Sequence, residues 1–149
     1  MHIVADENIP LIEQFFGDFG DITRVAGRTM TQEDVAKADI LLVRSVTQVN
    51  RELLEGSSVK FVGTATIGTD HIDLEYLKEV GIGFASAPGC NAQAVVDYVL
   101  SALSVVVDSR GIDFRDLSVG IVGVGNVGLL LRQRLEQMGL TVLACDPFK

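Results

Sequence analysis

The stretch that decides how this chain folds reads Ser118-Val119-Gly120-Ile121-Val122-Gly123-Val124-Gly125-Asn126-Val127-Gly128. Its apolar first half predicts a buried strand, and the spacing Gly-x-Gly-x-x-Gly predicts a tight turn that opens a helix. Gly123 allows the turn, Gly125 lets the backbone come close to a pyrophosphate, and Gly128 lets the helix pack closely on the strand. The stretch therefore predicts the first strand, turn and helix of a dinucleotide-binding unit.

The residues around this turn predict which dinucleotide is bound. Phosphates would meet backbone N–H groups at the positive end of the helix, at Asn126 and Val127. Asp146 ends the next predicted strand, at the spacing expected of the carboxylate that hydrogen-bonds the adenosine ribose. An acid there would repel a 2′-phosphate, so the pattern favours NAD over NADP. The predicted cofactor-binding residues are Gly123, Gly125, Asn126, Val127, Gly128 and Asp146.

Two other interpretations of this turn stay open at this point. The glycines could form only a tight connection between a strand and a helix, with Asp146 serving to end the second strand. An S-adenosylmethionine site also combines a glycine loop with an acidic strand end. That site does not need a third glycine at the position of Gly128, so the dinucleotide remains the first choice.

The first part of the chain alternates short apolar runs with helical patterns, which is typical of a parallel sheet covered by helices. Strands are predicted at residues 3–5, 21–25, 40–43, 61–64 and 83–85. Five β/α units of this kind predict an α/β fold, with a flavodoxin-like parallel-sheet domain over residues 1–90.

Capping residues mark the helices of this region. Thr31 with Asp34 has the pattern of a capping box, Asn50 and Asp73 are suited to N-caps, and Gly81 is suited to ending a helix. A further helix, beginning near residue 10, is predicted to bury one apolar face. That face would be formed by Leu11, Ile12, Phe15 and Phe16.

The pattern changes after residue 90. A long apolar helix is predicted over residues 91–111 as an interdomain helix, and a new strand, helix and strand follow over residues 112–149. A mononucleotide-binding half needs three parallel strands and a full Rossmann sheet about six. We therefore expect residues 112–149 to be the start of a Rossmann NAD-binding domain that is truncated here.

Composition narrows the classes of partner. With 12 basic and 20 acidic residues the formal net charge is -8, which disfavours nucleic acid because phosphate contacts need clustered cations. The N-terminus lacks the pattern of a signal peptide, and the apolar stretch at residues 95–107 is interrupted by Asp97, so we expect a buried helix rather than a membrane span. Cys90 and Cys145 have no metal-ligand spacing. We therefore expect a cytoplasmic protein without a metal, nucleic-acid or membrane partner.

Several short strings carry a resemblance to a known family. They are Asp6-Glu7-Asn8-Ile9-Pro10, Val43-Arg44-Ser45-Val46-Thr47, Phe61-Val62-Gly63-Thr64-Ala65-Thr66-Ile67-Gly68-Thr69-Asp70-His71, Ala87-Pro88-Gly89-Cys90-Asn91-Ala92 and Cys145-Asp146-Pro147. Together with the order of the domains, they resemble the D-2-hydroxyacid dehydrogenases, whose substrate domain is split around an inserted cofactor domain. The resemblance covers nearly the whole chain.

This resemblance implies an activity and its partners. Within the family, the strings are most similar to cytoplasmic homodimeric enzymes of vitamin B6 (pyridoxine) biosynthesis, which use NAD to oxidise the 2-hydroxyl of 4-phospho-D-erythronate. It implies that Ser45 and Thr66 contact this phosphorylated hydroxy acid and that Asp146 binds the NAD ribose. The family's catalytic Arg, Glu and His lie beyond residue 149, so the resemblance implies no catalytic residue in this chain and no turnover by this chain alone.

The residues themselves agree with the substrate position. Ser45 and Thr66 each follow a predicted strand, and ligands bind beyond the carboxyl ends of strands in open α/β sheets. A loop hydroxyl there can donate to a carboxylate or phosphate oxygen, although it can also satisfy only its own backbone. Arg44 could meet a phosphate but is expected more often in a surface or interdomain ion pair, and His71 is interpreted as a structural loop residue.

Two alternative functions stay open. One is a different D-2-hydroxyacid dehydrogenase, acting for instance on glycerate or phosphoglycerate. The other is a non-catalytic NAD-sensing protein, because some proteins with this fold act as transcriptional corepressors. Such a protein would bind NAD and a protein partner without needing the catalytic residues.

Overall fold

The computed structural model of the protein describes residues 1–148, and the chain divides into two compact units. The first unit runs from Met1 to Pro88, and the second begins at Gly89. Lys149, the last residue of the predicted NAD-binding domain, lies outside the described residues.

The first unit is built on a five-stranded parallel sheet. Its strands are β1 (His2–Asp6), β2 (Asp21–Val25), β3 (Ile40–Val43), β4 (Phe61–Thr64) and β5 (Gly83–Ala85). They lie in the order β2-β1-β3-β4-β5, with all four strand pairs parallel. This is the flavodoxin-like order, so the predicted α/β fold class is confirmed.

Besides a 3-10 helix at Gly17–Phe19, four short α-helices connect these strands. They are α1 (Ile12–Phe16), α2 (Gln32–Val35), α3 (Arg51–Leu54) and α4 (Leu74–Val80). The predicted caps are present: the amide of Leu53 donates to Asn50 Oδ1 at 3.1 Å, and the amide of Tyr76 donates to Asp73 Oδ1 at 2.9 Å. Thr31 and Asp34 form the predicted capping box at the start of α2.

Both faces of the first sheet carry buried apolar side chains, because successive residues of a strand point to opposite faces. In β1, Val4 belongs to the larger cluster, whereas Ile3 and Ala5 belong to the smaller one on the other face. Buried side chains on both faces of the sheet therefore hold the strand ends in place.

The prediction for the first helix was wrong in part. The helix begins at Ile12, after Leu11 in a left-handed conformation with φ 56°. Because this delays the helix, Ile12 is buried and Phe16 half-buried, but Leu11 and Phe15 are exposed. The apolar face is therefore narrower than the spacing of four apolar residues predicted.

Besides a 3-10 helix at Phe114–Asp116, the described residues of the second unit (89–148) form two α-helices and two strands. These are α5 (Ala92–Arg110), β6 (Ser118–Val122), α6 (Asn126–Gln137) and β7 (Thr141–Cys145). β6 and β7 pair in parallel, with Ser118 opposite Thr141. The predicted strand, turn, helix and strand are confirmed. Their core is formed by Ile121, Leu135 and Leu140, with Leu100 and Leu103 of α5 packed against it.

The expectation that α5 is a buried helix was wrong for most of its length. Only Ala92, Val96 and Val107 are buried, while Tyr98 and Val105 are 74% and 69% exposed. By length and composition alone, α5 is apolar enough to cross a membrane. One such helix is weak grounds for a membrane span, because core helices of other proteins have the same composition.

Candidate functional site

The two predicted substrate residues lie at neighbouring strand ends of the first unit. Val43 of β3 is paired with Thr64 of β4, and Ser45 and Thr66 each follow two residues later. Ser45 is exposed at the centre of a turn, and Thr66 is half-buried. The structure therefore brings both hydroxyls to one edge of the sheet, where ligands of open α/β sheets bind.

A chain of hydrogen bonds extends from Thr66 into the protein. Thr66 Oγ1 lies 2.8 Å from Thr64 Oγ1, which in turn lies 3.1 Å from Nε2 of His71. Thr64 and His71 are both buried. The backbone near His71 is tied to a neighbouring segment, because its carbonyl accepts from the amide of Val49 at 2.8 Å. These hydrogen bonds hold the Thr66 hydroxyl in place.

Burial also changes the chemistry of His71. Desolvation lowers the pKa of its imidazole below the ordinary value of 6.5, and the nearby charge of Asp70 opposes that shift only partly. The ring is therefore neutral at neutral pH. A neutral ring hydrogen-bonded to Thr64 fits the structural role expected from the sequence.

A second group of polar residues lies at the ends of β1, β2 and β3, and sequence reasoning missed how they combine. The buried carboxylate of Asp6 packs against Gly27, and the hydroxyl of buried Thr47 donates to the carbonyl oxygen of Gly27 at 2.9 Å. A Cβ on Gly27 would overlap Asp6 Oδ2 and lie 2.8 Å from Thr47 Oγ1. The glycine is thus required for three separate segments to meet.

The glycine turn of the second unit has the predicted form. Gly123 adopts φ 89°, a left-handed conformation that favours glycine, and its amide donates to the carbonyl oxygen of Cys145 at 2.8 Å. A Cβ on Gly128 would overlap the carbonyl oxygen of Gly123, whereas a Cβ on Gly125 would meet nothing within 4 Å. Gly128 thus serves packing inside the unit, and the space over Gly125 is open.

Asp146 lies beside this turn. Its Oδ2 accepts the amide of Val124 at 2.7 Å, and its Oδ1 accepts the amide of Phe148 at 3.0 Å. These bonds fix a half-buried carboxylate next to the middle of the glycine turn, directly after β7. The position is the one that the sequence spacing predicted.

The arrangement fits a dinucleotide. The amides of Asn126 and Val127 lie in the first turn of α6, where helical N–H groups have no partner within the helix. Gly125 carries no Cβ, and the position where one would stand has no atom within 4 Å, so a diphosphate can approach the backbone there. The side chain of Asn126 packs near Gly89, a contact that no sequence pattern indicated.

The sequence matches a known family over almost its whole length. Residues 2–145 match the family described as D-isomer specific 2-hydroxyacid dehydrogenase, catalytic domain. The chain belongs to this dehydrogenase family. The resemblance stated from the sequence strings is therefore confirmed at the level of the family.

Curated relatives within the family are similar to this chain over nearly its whole length. The chain is similar to an erythronate-4-phosphate dehydrogenase of Marinobacter nauticus, 65% identical over 148 residues, and to one of Chromohalobacter salexigens, 56% identical over 147 residues. Each match covers 99% of this chain and 38% of the relative. The chain thus spans about two fifths of the length of these relatives.

Solved structures of other family members share the fold. An NAD⁺-bound 3-phosphoglycerate dehydrogenase of Entamoeba histolytica matches with a TM-score of 0.73 at 24% identity, covering all of this chain and 55% of that one. A D-2-hydroxyisocaproate dehydrogenase matches with a TM-score of 0.74 at 20% identity, covering all of this chain and 54% of that one. At such identities the likeness supports the fold alone.

Proposed function

We propose that this chain supplies the NAD-binding turn and substrate contacts of an enzyme that oxidises the 2-hydroxyl of 4-phospho-D-erythronate, a step of vitamin B6 biosynthesis. The observation that carries the proposal is the carboxylate of Asp146, fixed by the amide of Val124 beside an open glycine turn. The printed name shared by the curated relatives supports the choice of substrate.

The proposed NAD site consists of Gly123, Gly125, Asn126, Val127, Gly128 and Asp146. The first-turn amides of α6 would hold the diphosphate, because first-turn amides have no partner within the helix and lie at the positive end of these 12 residues. Asp146 would accept hydrogen bonds from the ribose hydroxyls. Its charge would repel a 2′-phosphate, which favours NAD over NADP.

The proposed substrate contacts are Ser45 and Thr66. Ser45 is exposed and can turn its hydroxyl toward a carboxylate or phosphate oxygen. Thr66 is restrained by Thr64, so its hydroxyl is already oriented before a ligand arrives. When bound, NAD supplies the hydride acceptor, and the hydroxyls of this chain orient the acid whose C2 loses that hydride.

Oxidation of an alcohol also needs a base for the hydroxyl proton. The nearest imidazole, that of His71, is buried and hydrogen-bonded to Thr64. We therefore assign this proton transfer to a part of the longer relatives that this chain does not span. On this proposal the chain alone binds ligands without turnover, and the full-length enzyme is a cytoplasmic homodimer.

The test is the activity of a protein extended to the length of the relatives. With NAD, 4-phospho-D-erythronate should yield NADH and the 2-oxo acid, while glycerate and 3-phosphoglycerate should be poor substrates. Asp146→Ala should raise KM for NAD about tenfold or more, since a hydrogen bond to a charged group contributes about 1.5–3 kcal/mol. Equal activity on all three acids would favour a different dehydrogenase of this family.

A matched pair of variants separates binding from folding. Gly125→Ala and Gly120→Ala both place a methyl group where it meets nothing within 4 Å. Only the first lies in the proposed path of the diphosphate, so only Gly125→Ala should weaken NAD binding in a calorimetric titration. If both variants bind NAD as the unchanged protein does, the proposed cofactor site is wrong.

A further inference from the structure

We propose that a cavity at the ends of β1, β2 and β3 binds the phosphate group of the substrate, an inference that rests on the proposed function. This three-turn cavity has a volume of about 250 Å³. It is lined by Glu7, Asn8, Ala26, Gly27, Arg28, Arg44 and Val46. The ligand chemistry it suits is a phosphate monoester.

Three tight turns build the cavity, one after each strand. Each is closed by a backbone hydrogen bond across four residues: Ile9 to Asp6 at 3.0 Å, Thr29 to Ala26 at 3.0 Å, and Thr47 to Arg44 at 3.2 Å. Every residue that lines the cavity belongs to one of these turns. Because parallel strands end at one edge of the sheet, segments about 20 residues apart in sequence converge there.

The turns are locked to one another. Gly27, in the turn after β2, meets the Asp6 carboxylate from the turn after β1 and accepts a hydrogen bond from Thr47 in the turn after β3. Asp6 and Thr47 are buried, at 0% and 3% exposure. The cavity is therefore a preformed feature, so a ligand would not have to order its walls.

Two arginine side chains in the cavity wall have no partner in residues 1–148: neither Arg28 nor Arg44 makes an ion pair or side-chain hydrogen bond there. Arg24 and Arg51, by contrast, each hold a glutamate at 2.7–2.9 Å. Arg44 is half-buried as a residue, and a guanidinium that is drawn out of water needs hydrogen-bond partners to replace its hydration. An anion with several oxygens would supply those bonds, and the planar guanidinium fits phosphate well.

The cavity adjoins a residue already proposed to contact substrate. Ser45 lies between Arg44 and Val46 in the same turn. A phosphate held by Arg28 and Arg44 would leave the rest of a short hydroxy acid beside the Ser45 hydroxyl. Arg28 and Arg44 would then select phosphorylated over unphosphorylated acids, because each charged hydrogen bond lost weakens binding about tenfold or more.

One acidic residue in the cavity wall provides a test in which phosphate binding should become tighter instead of weaker. Glu7 is exposed and lines the same cavity as the two arginines. Its charge opposes an anion, so Glu7→Gln should tighten binding of phosphate. Arg28→Gln, by the same reasoning, should weaken it.

The first experiment uses this chain and inorganic phosphate as the probe. Phosphate should shift the side-chain Nε–H resonances of Arg28 and Arg44 in ¹⁵N NMR spectra, and Arg28→Gln or Arg44→Gln should raise the Kd about tenfold. Arg51→Gln is the matched control, because it removes the same charge from an exposed arginine of the same unit. Since Arg28 is exposed, its variant should fold even where Arg44→Gln does not.

The second experiment uses the protein extended to the relatives' length. Arg28→Gln should raise KM for 4-phospho-D-erythronate about tenfold and leave KM for unphosphorylated D-erythronate unchanged. Phosphate shifts confined to Ser45 and Thr66, or equal effects of Arg28→Gln and Arg51→Gln on the Kd, would overturn the inference. If the extended protein shows no NAD-dependent activity, the proposed function fails, whereas the phosphate titration still decides whether the cavity binds phosphate.

Discussion

The two units of this chain position their binding residues in different ways. In the first unit, both faces of the sheet carry buried side chains, and the strand ends are joined by contacts between distant segments, as at Gly27. In the second unit, one face of a two-stranded sheet is covered, and Val122 and Leu143 are 88% and 68% exposed. Its binding turn depends on the backbone of one local motif. Packing between distant segments thus positions the binding residues of the first unit, and the backbone geometry of the glycine turn positions those of the second.

The sharpest test of this difference compares two leucine truncations. Leu41→Ala removes a fully buried side chain of β3 and should cost about 2–5 kcal/mol in the free energy of unfolding. Leu143→Ala removes an exposed side chain of β7 and should change it by less than about 0.5 kcal/mol. Denaturant titration followed by hydrogen exchange in each unit measures both. Equal costs would show that the units do not differ as described.

Although few side chains of the second unit are buried, one glycine substitution should lower its stability markedly. Gly128→Ala would drive a methyl group into the carbonyl oxygen of Gly123, which belongs to the backbone and has little room to move. We expect a loss of about 1–3 kcal/mol, seen as faster amide exchange in β6 and α6 with that of β3 unchanged. Gly120→Ala, in open space, is the control. Unchanged exchange in Gly128→Ala would refute the packing role of this glycine.

Acidification should affect the first unit through His71. Its pKa is lowered in the folded protein, so below the ordinary value of 6.5 the unfolded chain binds a proton that the folded chain does not. Stability should therefore fall as the pH drops through 6.5 toward the lowered folded pKa. His71→Gln should remove that part of the slope that begins as the pH falls through 6.5. An identical slope in both proteins would contradict the assignment to this imidazole.

The smallest expected effect concerns an exposed ion pair. The hydrogen bond from Arg24 lowers the pKa of Glu13 to about 2 from 4.5. The stability it contributes should be complete above pH 4.5 and be lost as the pH falls toward about 2. Because both side chains are exposed to solvent, salt should screen the effect. Glu13→Gln should flatten the acid limb slightly, and a loss as large as that of Leu41→Ala would be unexpected.

Local patterns predicted much of this fold. The five strands of the first unit and the cap at Asn50 depend on runs of a few residues, and each was confirmed. Leu11 and Phe15 were misplaced because Leu11 adopts a left-handed conformation and the helix begins at Ile12 rather than near residue 10, which apolar spacing does not reveal. The exposed face of α5 was missed because its composition does not say which side chains find a neighbour.

The candidate site, like the fold, was predicted where local sequence decides the geometry and missed where it does not. The glycine turn and Asp146 belong to one strand–turn–helix–strand unit, so their geometry follows from spacing along the chain. The hydrogen-bond chain from Thr66 to His71 was not predicted, although its members lie within one string. Its formation depends on how the loop after β4 folds back, which hydroxyl and imidazole groups in a sequence do not specify.

The sequence by itself determined the alternation of strands and helices, the conformation of Gly123 and the place of Asp146, because each is decided by steric limits within a short segment. Only the tertiary structure decided that Asp6, Gly27 and Thr47 meet, and that Arg28 and Arg44 line one cavity. The physical reason is the parallel sheet. It aligns the carboxyl ends of strands that are far apart in sequence, so side chains with no local relation come to share one pocket.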